Sequence, residues 1–148
     1  MNEHLPVMLT EVLLGLNIKP NGIYLDATFG RGGHSRAILS ALGAHGRLYA
    51  LDQDLEAIAY AKEHFGHDSR FQIAHGSFGE LSKWIDMFAI RGKISGILMD
   101  LGVSSPQLDD ATRGFSFMRN GPLDMRMNTS IGQPAADYVN QSSAEDLA

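Results

Sequence analysis

The chain has 148 residues, 44% of them hydrophobic and 20% charged, with sixteen glycines, no cysteine and a net charge of −5. That length fits one domain, the composition excludes a disordered chain, and no run approaches the ~18 consecutive apolar residues of a membrane-spanning helix. Lack of cysteine excludes disulfides, thiolate zinc sites and cysteine nucleophiles, and the acidic balance counts against non-specific nucleic-acid binding, which rewards basic surface.

In chain order, Met1-Asn2-Glu3-His4 lacks the basic start of a secretory signal, so a cytoplasmic location is expected. Pro6 to Leu16 reads as a short helix, with Leu9, Val12, Leu13 and Leu16 at helical spacing. Ile23-Tyr24-Leu25 is a first strand closing on Asp26, and the glycine turn Gly30-Arg31-Gly32-Gly33 leads into a helix through Ala37, Ile38 and Leu42. Arg47 to Leu51 is a second strand closing on Asp52, and Asp54 caps a helix through Ala57, Ile58, Ala61 and Phe65. Arg70 to Ala74 is a third strand, Phe78 to Ile90 a helix, and Ile94 to Leu101 a fourth strand. Ile97-Leu98-Met99 is apolar without alternation, the pattern of a parallel strand covered on both faces. The alternation βαβαβαβ predicts an α/β fold, an open and mostly parallel Rossmann-like sheet of the doubly wound kind.

Beyond Gly102 the alternation stops, and roughly 35 residues from Val103 to Ala136 show no clear strand, a length that is usually functional or a sign of misassigned elements. Ser142 and Ser143 then open a helix, with Glu145 and Asp146 as capping partners, that runs barely one turn to Ala148. Four strands in the usual order also leave the apolar fourth strand on an open edge, which predicts self-association there. Together these features read as an incomplete sheet, the first four strands of a longer protein.

Glycines between a strand and a helix let the backbone approach a ligand and aim free amides at it. Gly30, Gly32 and then Ser35 fit the dinucleotide pattern G-x-G-x-x-G only in part. Asp26-Ala27-Thr28-Phe29-Gly30-Arg31-Gly32 fits a class I S-adenosyl-L-methionine site, with Thr28 where a first glycine would stand. An acid at the strand end suits a ligand with an ammonium and a cationic sulfur and suits a pyrophosphate badly. Asp52, twenty residues after Gly32, stands where a carboxylate accepts ribose hydroxyls, a feature both cofactors share. Phe78 after the third strand either stacks on an adenine or caps the core. Asp100 ends the fourth strand, and Ser104-Ser105-Pro106-Gln107 follows, so all these groups collect at the carboxyl ends of the strands.

These residues carry a resemblance. His4-Leu5-Pro6-Val7, the run from Tyr24 to Ser35, the run from Asp100 to Asp109, Arg113 to Met118 and Gly121 to Met127 resemble the bacterial 16S ribosomal RNA small-subunit (cytosine-N4)-methyltransferases, the RsmH or MraW family. The likeness runs from His4 to the last residue. It implies a class I methyltransferase sheet, S-adenosyl-L-methionine as methyl donor, and the N4 amino group of a cytidine in the decoding region of 16S rRNA as acceptor. The partner implied is 16S rRNA within the small ribosomal subunit, with no membrane involved. Carried over by position, the cofactor contacts are Gly32, Gly33, His34, Asp52, Phe78, Asp100 and Gln107. No metal is implied. Family members are about twice this length and insert a helical domain after the fourth strand. On that basis residues 1–136 are expected to be the cofactor-binding part and residues 137–148 the start of the insert, cut short, so that this fragment alone has little activity. The rivals are a nicotinamide-dependent oxidoreductase and a cofactor-binding fragment without turnover.

The cytosine amino lone pair is delocalised into its ring, so its hydrogens need acceptors that turn the lone pair towards the methyl. Asp100 is the candidate catalytic residue, with the Ser104 to Gln107 turn shaping the cytosine pocket, although the second proline and the aromatic residue of other amino-methyltransferase motifs are missing. Arg113 to Arg119 interleaves arginine with Phe115 and Phe117, which fits either a single-stranded RNA reader or a lid packed on the sheet. His64 and His67 are spaced as a metal pair but lack further ligands, so solvated surface is expected. His4 reads either as a site residue or as loop, and Arg31 as a phosphate contact or as solvated.

Overall fold

A computed structural model describes residues 6–148 and divides the chain into two compact units, Met1–Leu101 and Gly102–Ala148. The first holds α1 (Leu9–Leu16), β1 (Ile23–Asp26), α2 (Gly33–Ala41), β2 (Arg47–Asp52), α3 (Leu55–Phe65), β3 (Phe71–His75), a 3₁₀ turn (Phe78–Glu80) running into α4 (Leu81–Met87), and β4 (Gly96–Leu98). The four strands are parallel in the order β3-β2-β1-β4. Asp26 pairs with Ala50 and Leu98, and Asp52 with His75, so the strand ends that carry chemistry are neighbours. This is the open α/β sheet that the alternation of the sequence predicts.

Alternation along each strand sends side chains to opposite faces. Tyr24, Leu48, Ala50 and Leu98 join Ile38, Leu39, Leu42, Ala57, Ala61 and Phe65 on one face, with Val12, Leu13 and Leu16 of α1 packed at its margin. Leu25 and Leu51 meet Trp84 on the other, with Tyr49, Ile85 and Phe88 around them. Within this unit α1, α2 and α3 pack on one face of the sheet and α4 on the other.

Two boundaries differ from the sequence expectation. Met8 adopts a left-handed conformation with φ 52°, so α1 starts at Leu9 and not at Pro6. β4 is three residues long, where the apolar run predicts eight from Ile94 to Leu101. The reason is its neighbour: β1 ends at Asp26, opposite Leu98, and leaves for the glycine turn, so the later residues have no strand to pair with. Nor is β4 covered on both faces. Ile97 lies opposite Leu25, on the α4 face, and is 39% exposed, with Met99 at 42%. α3 is capped as predicted, the Asp54 side chain accepting the Glu56 N–H at 3.0 Å.

The second unit contains α5 (Ser105–Asp109), a 3₁₀ turn (Ala111–Arg113), α6 (Ala135–Gln141) and α7 (Ala144–Leu147). Ser104 and Gln107 form a capping box around the start of α5. Residues 114–134 form neither helix nor strand, yet they are tied down. The Arg113 guanidinium donates to the carbonyls of Arg126 and Met127 at 3.2 and 3.1 Å, and the Met125 N–H returns to the Arg113 carbonyl at 3.1 Å. α6 starts inside the stretch expected to be loop. Its first two N–H groups, from Ala135 and Ala136, donate to the carbonyls of Asp124 and Leu123 at 2.8 and 2.9 Å. Ser143 caps α7 as expected, its side chain accepting from the Asp146 N–H.

Candidate functional site

The site is built around the link from β1 to α2. After Asp26 the chain bridges both neighbouring strands, the Ala27 N–H donating to the Leu98 carbonyl at 2.9 Å and the Phe29 N–H to the Leu51 carbonyl at 3.0 Å. It then turns through Gly30 (φ 57°) and Gly32 (φ 71°), left-handed conformations that glycine adopts without a side-chain penalty. The two glycines serve different ends. A Cβ on Gly32 would strike the Phe29 and Phe65 rings at 2.6 Å, whereas one on Gly30 would meet nothing within 4 Å. Gly32 admits an aromatic cluster in which Phe29 and Phe65 pack edge to face at 5.2 Å, and Gly30 leaves open space beside the turn.

Two carboxylates, Asp26 and Asp52, end strands here and a third, Asp100, follows β4, and their surroundings separate them. Asp26 is 1% exposed and accepts from the Ser35 hydroxyl at 2.7 Å and the Thr28 N–H at 3.1 Å. Burial pushes its carboxyl above the usual range, with the Ser35 and Thr28 hydrogen bonds opposing. It braces the turn from inside, which corrects the expectation that this acid faces the ligand. Asp52 is half-buried, with Oδ2 accepting the Gly30 N–H at 2.7 Å and Oδ1 the Asp54 N–H at 2.9 Å. Burial raises this carboxyl too, against the hydrogen bonds from Asp54 and Gly30. Asp100 stands beyond β4 with its side chain 51% exposed, and its N–H donates to Thr28 Oγ1 at 2.8 Å.

His34, in the first turn of α2, is buried. Its Nε2–H donates to the Val7 carbonyl at 3.0 Å, and Nδ1 lies 3.9 Å from Asp100 Oδ2. Phe78 opens the 3₁₀ turn after β3, half-buried, beyond Gly76, whose N–H reaches the Asp52 carbonyl at 2.8 Å. Gly32, Gly33, His34, Asp52, Phe78 and Asp100 thus belong to one unit and to the carboxyl end of its sheet. Gln107 belongs to the second unit, where its Oε1 accepts the Ser104 N–H at 2.9 Å in the α5 cap. Two residues of the site were visible in the sequence only as departures from glycine patterns, Thr28 and Ser35. A hydroxyl residue at each place was the available signal.

Other candidates find their places. Arg31 is half-exposed, 3.4 Å from Glu56 and over the Tyr60 ring at 5.2 Å. His64 stacks on Tyr60 at 4.0 Å with Nδ1 3.0 Å from the Tyr60 carbonyl oxygen, and no metal-holding cluster occurs among the described residues. Phe117 is fully exposed, while Phe115 is half-buried. His4 lies outside the described residues. No helix among the described residues is long and apolar enough to cross a membrane.

The sequence profile of the MraW methylase family matches residues 1–148. The chain belongs to the MraW methylase family. Among its curated relatives, the ribosomal RNA small subunit methyltransferase H of Shewanella halifaxensis (strain HAW-EB4) is 61% identical over 146 residues, covering 99% of this chain and 46% of that protein. The protein of the same name from Shewanella loihica (strain ATCC BAA-1088 / PV-4) is 61% identical over 145 residues, covering 98% and 46%. The chain spans about half the length of the curated relatives it matches. Among solved structures, an rRNA methylase from Streptococcus thermophilus superposes with a TM-score of 0.51 at 20% identity, over 69% of this chain and 57% of that one. That likeness establishes the sheet architecture of this MraW family member.

Proposed function

We propose that the chain binds S-adenosyl-L-methionine over the carboxyl ends of β1, β2 and β4 and serves methyl transfer to the N4 amino group of a cytidine in the decoding region of 16S rRNA. The observation that carries this reading is the pair Asp52 and Asp100 on either side of a glycine turn with open space at Gly30. The chemistry fits. Each Asp52 oxygen accepts one main-chain N–H and keeps a lone pair, so the carboxylate can take two ribose hydroxyls without losing either bond. Gly32, Gly33 and His34 would line the amino-acid end of the cofactor, and Phe78 would flank the adenine. A dinucleotide fits less well, since Ser35 holds the place of its third glycine and is turned to the buried Asp26.

When bound, S-adenosyl-L-methionine supplies a methyl on a cationic sulfur, ready for in-line displacement. What remains for the chain is positioning. Asp100 is the exposed acid of the site. As acceptor for a cytosine amino hydrogen it turns the nitrogen lone pair outward and takes up positive charge as the bond forms. The names of the relatives support 16S rRNA in the small subunit as partner, and with it a cytoplasmic site of action. On the same reading residues 1–136 form the cofactor-binding part, with residues 137–148 as the opening of a helical segment. The outer edge of β4, which pairs with no strand among the described residues, is the proposed surface for self-association.

Thermal shift with S-adenosyl-L-methionine, its demethylated product and NAD tests the cofactor. The expected result is stabilisation by the first two, lost in Asp52→Asn. Stabilisation by NAD alone would overturn the reading.

A further inference from the structure

We infer that Thr28 is a positioning residue: its hydroxyl makes the last rung between β1 and β4 and so fixes where Asp100 stands. The inference rests on the reading above, in which Asp100 faces the transferred methyl.

Along a parallel ladder, backbone donors and acceptors of one strand alternate towards its neighbour. Between β1 and β4 the last main-chain rung is the Ala27 N–H on the Leu98 carbonyl, at 2.9 Å. The following β4 donor is the Asp100 N–H. The β1 backbone has already turned away there, and the Thr28 side chain takes its place, with Oγ1 accepting at 2.8 Å. β4 is an edge strand with β1 as its one partner among the described residues, so no second strand steadies Asp100 from the other side.

Thr28 is itself held. Its N–H donates 3.1 Å to Oδ1 of the buried Asp26, whose Oδ2 accepts the Ser35 hydroxyl at 2.7 Å. A line of hydrogen bonds therefore runs from the first turn of α2, through Ser35, Asp26 and Thr28, to the end of β4. The β-branch restricts the rotamer of Thr28 and aims the oxygen. Glycine, which stands at this position in the general class I pattern, has no such oxygen. A threonine here exchanges backbone freedom for a fixed carboxylate.

The test uses Thr28→Val, which keeps the shape and removes the hydroxyl, and Thr28→Ser, which keeps the hydroxyl. Amide exchange of Asp100 is followed by NMR, and S-adenosyl-L-methionine affinity by calorimetry. Thr28→Val should expose the Asp100 N–H to exchange and weaken binding roughly fivefold, the worth of one hydrogen bond. Thr28→Ser should restore both. Thr28→Ala stands in if the valine variant does not fold. Unchanged Asp100 exchange in Thr28→Val would overturn the inference, as would a serine variant as weak as the valine one. A wild-type chain that shows the Thr28-dependent exchange but binds no S-adenosyl-L-methionine would instead defeat the functional reading, and the positioning role with it.

Discussion

Asp26 and Asp52 end adjacent strands with the same side chain, and burial gives them different work. Asp26 is sealed and spends its acceptor capacity on Ser35 and Thr28, while Asp52 keeps solvent access beside Gly30. Burial raises the folded Asp26 carboxyl above 3.8. Its proton therefore favours the folded state at low pH, and that contribution is lost as pH rises through the folded value. The Ser35 hydroxyl opposes the loss by supporting the ionised form. Ser35→Ala should cost about 1–3 kcal/mol, the penalty of a buried acceptor without its donor. Urea denaturation followed across pH should show a larger loss where Asp26 is ionised than at low pH, where it is protonated. A loss independent of pH would contradict this account. Asp52 was legible in the sequence because a strand-ending acid needs only the strand boundary to be placed, whereas Asp100 lies beyond β4 and was found through the apolar run before it. The roles of Ser35 and Thr28 were not, since they depend on rotamers that only the packed turn sets.

Elements were legible where their signals are local. The Asp54 cap, the glycine turn and the apolar spacing of α2 and α3 are written in adjacent residues, and the structure follows them. Signals that act at a distance were missed. β4 stops early because β1 turns away, and α6 begins where the carbonyls of Asp124 and Leu123, eleven and thirteen residues upstream of the Ala135 and Ala136 N–H groups they respectively accept from, are presented to it. Those carbonyls sit in a segment ordered by charge. The Arg126 guanidinium grips Asp124 through Nε and Nη2 at 2.9 and 2.7 Å and holds its carboxyl down at about 2. A depressed carboxyl stabilises the folded form above its ordinary 3.8 and loses that effect as pH falls through 2. Acid titration followed by NMR should therefore loosen the segment from Leu123 to Met127 between pH 4 and 2. Asp124→Asn should release it at neutral pH. Persistence of its ordered signals in that variant would contradict the assignment.

At the scale of the molecule, charge and edge matter most. A net charge of −5 makes broad electrostatic capture of RNA a poor description of this chain. The outer edge of β4, which pairs with no strand among the described residues, has the partly exposed Ile97 and Met99 beside it. Sedimentation should show association that rises with concentration and is weakened by Ile97→Lys, and a monomer at all concentrations would count against the edge. The central claim, that the carboxyl end of this sheet holds S-adenosyl-L-methionine, is tested most directly by NMR titration of the chain with that compound. The account predicts saturable one-to-one binding, with the amides of Gly30 to His34, Asp52, Phe78 and Asp100 shifting together. Absence of binding, or shifts confined to residues elsewhere, would contradict it.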